Sequence, residues 1–449
     1  MRRILLTLLF SLATALPLFA ATIRVAPFEC DVTLPLGQPI YSSFKPLAEI
    51  EHPLLAKGVV LDDGKTRCVL CSVDYCELCN GAFEAFRNAI AKAAEVDPKF
   101  VAVHTVHQHT APITSLGELL LLQKAPQPPK MMDPQVVTDS AAKVGRAVTK
   151  ACESFVECDK VGLGKAKVDR VASIRRLKSK DGKAITRWSS CTDPKLIAMP
   201  EGPIDPFIKT ITFAKGDKPI VRLHYYATHP QSFYGDPRAS YDVPGIAREA
   251  TEKNDGAMQI YFTGCAGNVT MGKYNNRTKE ARTALAKRLA KGMDAAIAAT
   301  KWQAAQKIDW NVAQWKMVPR ADGSNSREKS LATMNDTSAK PISRWGAALD
   351  LDFLNRIDRP VDITAMKIGK VVVLNLPGES FIEYQHYAQG LLADEFVAVA
   401  AYGDCAPGYI CTEAAFSEGG YEPTASRVVP ESEKAFKAAI RKALGASDH

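Results

Sequence analysis

Short apolar runs rich in Val, Ile, Phe and Tyr alternate along the chain with longer stretches in which apolar residues recur every three or four positions. The first pattern belongs to strands buried on one or both faces, the second to amphipathic helices. Strands are predicted over 67–74, 100–104, 208–213, 220–228, 259–263, 363–368, 371–376 and 396–401. Helices are predicted over 81–94, 135–155, 278–299 and 431–444. The last opens after Pro430 with acidic residues in its first turn and closes before Gly445, the polarity that capping favours. Such alternation predicts an α/β fold of mixed sheets flanked by helices. Positions 316–345, with RADGSNSREKS and NDTSAKP, are polar and turn-rich and read as an irregular insertion. With no internal repeat and no low-complexity linker, one large domain over 22–445 is expected.

Unusual polar sequences stand where five of these strands end. HTVHQHTAP follows FVAV, THPQS follows RLHYYA, TGCAGNVT follows QIYF, PGES follows VVVLNL, and GDCAPGYICT follows VAVAAY. In sheet-based folds ligands gather beyond the carboxyl ends of strands. Five such loops on one edge would form a single pocket.

The leading residues follow a different logic. Arg2 and Arg3 precede an apolar run at 4–19, and Phe19-Ala-Ala21 offers small residues for cleavage. Residues 1–21 therefore read as a signal peptide, and the mature protein as exported, periplasmic or secreted. No other stretch approaches the roughly 20 apolar residues of a membrane-spanning helix. The 449 residues include 57 Lys and Arg against 49 Asp and Glu, a net charge of +8, with basic residues spread among acidic ones. That dispersal argues against nucleic-acid binding and leaves at most peripheral contact with anionic membranes.

Eleven cysteines, an odd number, leave at least one thiol unpaired. Cys68, Cys71, Cys76 and Cys79 have a spacing that invites a zinc or iron–sulfur site. Yet Cys68 and Cys71 fall in the predicted strand 67–74, where residues three apart face opposite sides and cannot chelate together. Buried thiols, or one disulfide near Cys76 and Cys79, are expected.

Histidine is sparse. Three of the eight fall in His104-Thr-Val-His107-Gln-His109, directly before Thr-Ala-Pro112. In an extended segment residues i and i+2 share a face, so His107 and His109 are expected to project together and His104 away from them. A hydrolytic zinc site needs about three neutral or anionic protein ligands and one open position. The candidates are His107 or His109, then His229 before Pro230, and Glu379 after Pro377-Gly378 at the end of an apolar strand. Singly, each is as well explained by a hydrogen-bonded structural role, and spacing cannot link residues so far apart.

An ordered series of motifs carries the argument further. It begins with Phe28-Glu-Cys-Asp31-Val-Thr33, Val73-Asp74 and His107-Gln-His109-Thr-Ala-Pro112. Ile174-Arg175-Arg176 with Asp181-Gly182 comes next, then Gly202-Pro-Ile-Asp205-Pro206 and Tyr226-Ala-Thr-His229-Pro230 with Asp242-Val-Pro-Gly245. Gly264-Cys-Ala-Gly267-Asn-Val-Thr270, Leu376-Pro-Gly378-Glu379 and Gly408-Tyr409-Ile-Cys-Thr412 with Gly420-Tyr-Glu422 complete it. This series resembles the neutral (non-lysosomal) ceramidases and their bacterial relatives, over roughly residues 22–425. The resemblance implies that His107, His229, Glu379 and Tyr409 hold a zinc ion, with His109 as the acid–base histidine. It also implies a short bacterial-type relative without the C-terminal immunoglobulin-like domain of the ceramidases proper.

Two positions depart from the family pattern. Thr270 stands where the family has a serine, proposed in some members as a nucleophile, and Asn268 where it has an aspartate. Threonine can attack in principle, so Thr270 stays a catalytic candidate, but zinc-activated water is the simpler nucleophile. The expected reaction is hydrolysis of an N-acyl, ceramide-like amide. His109 would pass a proton to the leaving amine, and Tyr409 would bind zinc or donate to the developing oxyanion. Arg175 or Arg176 would meet a polar or anionic substrate group, and Asp242 is a further candidate for substrate contact. A disulfide between Cys405 and Cys411 would brace the tyrosine loop. The alternatives are a zinc hydrolase for another amide or an ester, and a non-catalytic zinc-binding exported protein. The substrate is a small molecule or a lipid, and no obligate protein partner is implied.

Overall fold

The computed structural model describes residues 22–40, 45–320 and 326–447, and in it three sheets follow one another along the chain. The expected signal peptide, 1–21, lies outside the described residues. The first sheet holds β1 (Ile23–Asp31), β2 (Leu55–Asp62), β3 (Arg67–Val73), β4 (Val101–Thr105) and β5 (Val156–Cys158), in the order β4-β3-β2-β1-β5. The second holds β6 (Lys160–Lys167), β7 (Phe207–Lys215), β8 (Lys218–Tyr226), β9 (Met258–Thr263) and β10 (Lys301–Ala304), in the order β9-β8-β7-β6-β10. The third runs in chain order through β11 (Asp309–Trp315), β12 (Val361–Ile368), β13 (Val371–Asn375) and β14 (Phe396–Ala400).

One plan governs all three. Antiparallel strands make up most of each sheet, and one edge carries a single parallel pair: β3 with β4, β8 with β9, β13 with β14. Parallel neighbours need a crossover, usually a helix. Gly81–Ala94, Asp242–Asp255 and Ile382–Leu391 supply the three. The fold is α/β, mixed sheets flanked by helices, as the alternation of the two periods predicts.

Strands covered on both faces read as continuous apolar runs, which is why β3 and β13 stood out in the sequence. Cys68 packs among Val25, Val59, Ile211, Phe213 and Val371, a core to which all three sheets contribute. Cys71 belongs to a different cluster, with Phe86 and Ile90 of the first crossover helix. The two cysteines thus face opposite ways, as the period of two requires. All eleven cysteines are free thiols, so the Cys405–Cys411 bridge is not formed and neither is one at Cys76 and Cys79.

The edge strands β4, β9 and β14 meet at their carboxyl ends. Thr105 N donates to Tyr402 O at 2.9 Å, Ala401 N to Thr263 O at 2.9 Å, and Thr263 Oγ1 to Val106 O at 2.7 Å. Polar groups that an edge leaves unpaired are satisfied here around a closed triangle. A buried ion pair ties the sheets nearby. Arg248, on the second crossover helix, donates to both oxygens of Asp74 at 3.0 and 2.9 Å.

Observed and expected elements differ mostly by a residue or two at their ends. The strands Ile23–Asp31, Leu55–Asp62, Val156–Cys158, Lys160–Lys167, Lys301–Ala304 and Asp309–Trp315 and the crossover helices Asp242–Asp255 and Ile382–Leu391 come in addition to the expected elements, and 316–345 departs from its expectation. Two helices, Arg327–Asn335 and Pro341–Asn355, occupy much of it, with 321–325 outside the described residues. Ser326 caps the first by accepting from Lys329 N, and only Ser330 and Met334 are buried on it. So sparse a buried face leaves no visible period. The second opens on Pro341, and its buried Ala347, Ala348 and Leu351 lie past the polar stretch.

His224 on β8 is fully buried between Thr210 Oγ1 at 2.8 Å and Gln259 Oε1 at 2.6 Å, and burial pushes its pKa down from 6.5 to about 4. A histidine kept neutral by folding contributes stability above its unfolded pKa and loses it as pH falls through the folded one, here about 3 kcal/mol. His224→Gln is expected to flatten the acid dependence by that amount. Urea midpoints followed between about pH 7 and 4 check this, and a slope equal to wild type refutes it.

Candidate metal centre

His107, His229 and Glu379 stand on loops that follow β4, β8 and β13, so each sheet supplies one of them. One ligand atom of each lies within 4.8 Å of the other two. His107 Nε2 is 3.1 Å from Glu379 Oε2, and His229 Nδ1 is 3.7 Å from the same oxygen. All three side chains are buried, and none of these atoms makes a well-directed hydrogen bond. Orphaned buried polar atoms cost about 1–3 kcal/mol each, so three converging on one point call for something between them. A tetrahedral ion with bonds of about 2.1 Å sets its ligand atoms roughly 3.4 Å apart. Two imidazole nitrogens and a carboxylate at this separation fit zinc.

Local backbone geometry explains the convergence. Extended structure ends at Thr105, and His107 takes a left-handed φ of 69°. That reversal, and not strand alternation, sets its ring 5.1 Å from that of His109. His104, still on the strand, points into the core with Nδ1 2.8 Å from Ala401 O and Nε2 3.0 Å from Asn375 Oδ1. His107 Nδ1 is 2.8 Å from Cys76 O, an acceptor that requires the proton on Nδ1. The Nε2 lone pair is left facing Glu379, the arrangement in which an outer partner orients a metal-ligating histidine.

His229 is anchored by its N–H to Val269 O at 2.9 Å and by a bridge to Thr270. Its Nε2 lies 2.9 Å from His109 Nε2, so one of the two imidazoles donates to the other. Glu379 is held by its N–H to Gly408 O at 2.9 Å and by the two-residue parallel ladder that pairs it with Tyr409. Gly267 packs against it so closely that a Cβ there would stand 2.3 Å from Glu379 O.

Charge is distributed unevenly over the three imidazoles. Burial opposes charging His107, but the Glu379 carboxylate beside it prevails and its pKa lies above the ordinary value. Burial, with the charge on His107 and Arg175, holds His109 well below that value, and burial with those same charges does so for His229.

The remaining candidates sort by what they touch. Arg175 is buried, with Nε donating to Glu422 Oε1 at 2.9 Å and Nη2 to Gly267 O at 2.5 Å. Its guanidinium also lies 5.2 Å from the centre of the Tyr409 ring. Arg176 points the other way, donates to Glu422 Oε2 at 2.8 Å, and borders a groove with Ile174, Leu177, Met199 and Phe381. Thr270 is buried, its Oγ1 accepting from Gly272 N at 3.1 Å. Asp242, expected at the substrate, is fully buried and accepts from Ser232 N at 2.9 Å and Val243 N at 2.8 Å. It closes the loop after His229 instead, because an acid at this helix start finds backbone donors nearer than any solvent-facing group.

Several residues near the centre have no role assigned from the sequence. Tyr234 lies 6.0 Å from the His109 ring, Tyr421 lies 5.7 Å from that of Tyr409, and Trp188 lies 5.5 Å from that of Tyr421. These three are 45%, 41% and 52% exposed, so the solvent side of the centre is aromatic. Tyr402 is buried against His107. Its only sequence signal was its place at a strand end, in a loop already singled out.

Gly267→Ala tests whether Glu379 depends on that close backbone contact. The added methyl is expected to displace Glu379 and weaken metal binding at this group at least about tenfold while the circular dichroism stays that of wild type. Unchanged affinity in chelator competition would contradict the assignment.

No protein-family model and no curated protein matches the chain. Solved structures do match it. The crystal structure of neutral ceramidase from Pseudomonas aeruginosa aligns with a TM-score of 0.71 at 15% sequence identity, over 95% of this chain and 74% of that one. A ceramidase complexed with C2 aligns with a TM-score of 0.69 at 14% identity, over 95% of this chain and 75% of that one. The arrangement of three sheets around the centre is therefore a fold shared with neutral ceramidase along nearly the whole described chain.

Proposed function

We propose that this protein is an exported, zinc-dependent amidohydrolase of neutral-ceramidase type that cleaves an N-acyl amide. The observation that carries the proposal is the set of unpaired atoms on His107, His229 and Glu379, buried and spaced for a tetrahedral ion. The shared fold with neutral ceramidase supports the reaction class. His107, His229 and Glu379 would hold the ion, with Tyr409, paired to Glu379 in the short ladder, as the fourth ligand. Zinc bound there supplies Lewis acidity that polarises a carbonyl and acidifies a water.

The chain's own groups account for the rest. His109 is held neutral, so it can accept a proton from water and return it to the leaving amine. Burial keeps the Tyr409 phenol protonated, so where it is not a ligand it can donate to an oxyanion. Arg175, neutralised by Glu422, packs over the Tyr409 ring and fixes its position. The Thr270 Oγ1 accepts from Gly272 N and, among the described residues, is hydrogen-bonded to no side-chain base that would take its proton, which favours water over threonine as nucleophile. The exposed aromatics Trp188, Tyr234 and Tyr421 suit an amphiphilic substrate with an acyl chain, since such rings offer apolar area with a polar tip. Export rests on the leader at 1–21, and among the described residues no helix is long and apolar enough to cross a membrane.

Metal analysis combined with an N-acyl substrate screen tests this directly. Wild type is expected to hold about one zinc and to release fatty acid, and His107→Ala to lose roughly 100-fold or more in zinc affinity. Zinc absent from wild type, or retained undiminished by the variant, sinks the site. Zinc without turnover of any amide or ester would mark a binding protein instead. Thr270→Ala is expected to keep kcat/KM within about tenfold of wild type. Complete loss with zinc retained would make threonine the nucleophile.

A further inference from the structure

The ring of Tyr402 lies on the imidazole of His107, with centroids 4.2 Å apart and planes 26° from parallel. It is completely buried, and its hydroxyl has no hydrogen-bond partner. Both stacked residues have left-handed backbones, φ 62° at Tyr402 and 69° at His107. For residues with a Cβ this conformation is strained, and such outliers persist where the surroundings over-determine them, characteristically at functional sites.

Neither feature is needed to close the fold. Glycine meets the backbone requirement without strain, and phenylalanine fills the same space without an orphaned hydroxyl. The main chain shows where the residue acts. Tyr402 N donates to Gly378 O at 3.0 Å, next to Glu379, and Tyr402 O accepts from Thr105 N at 2.9 Å, at the start of the His107 turn. Tyr402 therefore clamps two ligand loops together, its ring against one ligand and 6.4 Å from the ring of another, His229.

We infer that Tyr402 is a positioning residue of the metal centre. Its ring fixes the plane of the His107 imidazole, and its hydroxyl is a donor kept for an oxygen atom that enters the site with water or substrate. This rests on the proposed metal centre. A phenol has an ordinary pKa near 10 and is a donor at neutral pH. Stacking leaves the imidazole edge, and with it Nε2, free to point at Glu379.

Tyr402→Phe keeps the ring and removes the donor, whereas Tyr402→Leu removes both. Zinc affinity by chelator competition, and the visible spectrum of the cobalt(II)-loaded protein across pH, separate the two contributions without any substrate. Tyr402→Phe is expected to bind zinc within about twofold of wild type, but with the pH-dependent cobalt transition moved to higher pH. Tyr402→Leu is expected to bind zinc at least about tenfold more weakly and to show altered cobalt bands. Both variants matching wild type in affinity and spectrum overturns the inference. If the metal-free Leu variant does not hold its fold by circular dichroism, Tyr402→Phe decides alone, and an unshifted transition overturns the inference. Wild type that binds neither zinc nor cobalt overturns the metal centre itself, a separate failure.

Discussion

Everything at the centre depends on three edge strands closing on one another at their carboxyl ends. An edge strand presents a row of unpaired N–H and C=O groups, and a protein must cover or pair them. Here β4, β9 and β14 pair theirs through Thr105, Val106, Thr263, Ala401 and Tyr402. Because each edge strand is the second member of a parallel pair, both strands of a pair end on the same side. Six loops then leave one small area. The crossover that makes a parallel pair possible thus also delivers a functional loop to the junction.

Charge at the junction is balanced in layers. Glu379 faces the imidazoles, Arg175 stands behind Tyr409, and Glu422 lies between Arg175 and Arg176. Arg248 and Asp74 form a second buried pair, with both side chains about 1% exposed. Buried pairs of this kind add little net stability compared with apolar packing, and removing one partner is what costs most. Their contribution here is geometric. Arg175 can sit against the Tyr409 ring because Glu422 neutralises it, and Gly267 O receives Arg175 on the same segment that presses against Glu379.

The strands legible in the sequence are those covered on both faces, whose continuous apolar runs survive there. Arg327–Asn335 was not legible, since it buries only Ser330 and Met334 and so carries almost no period, and neither were Val156–Cys158 and Lys301–Ala304, which are short and largely exposed. The histidine window shows a different limit. Alternation correctly turns His104 inward, but it stops at Thr105, and nothing in the sequence marks His107 for a left-handed backbone that glycine usually takes. Roles set by partners far along the chain stayed hidden. Asp242 accepts from Ser232 and Val243, partners its motif does not announce, and Tyr402 carries no signal of its own because its meaning depends on His107, 295 positions earlier.

The one-ligand-per-sheet arrangement bears on how the chain reaches its final state. No single sheet, and no segment ending before residue 379, contains more than two of His107, His229 and Glu379. Contacts this distant in sequence form late, because the entropy of closing long loops must be overcome before they stabilise anything. An ion that binds only the assembled set therefore acts on the completed fold and not on its intermediates. Retention of such an ion would in that sense be a proofreading signal for folding, reporting that three separately built sheets have found one another.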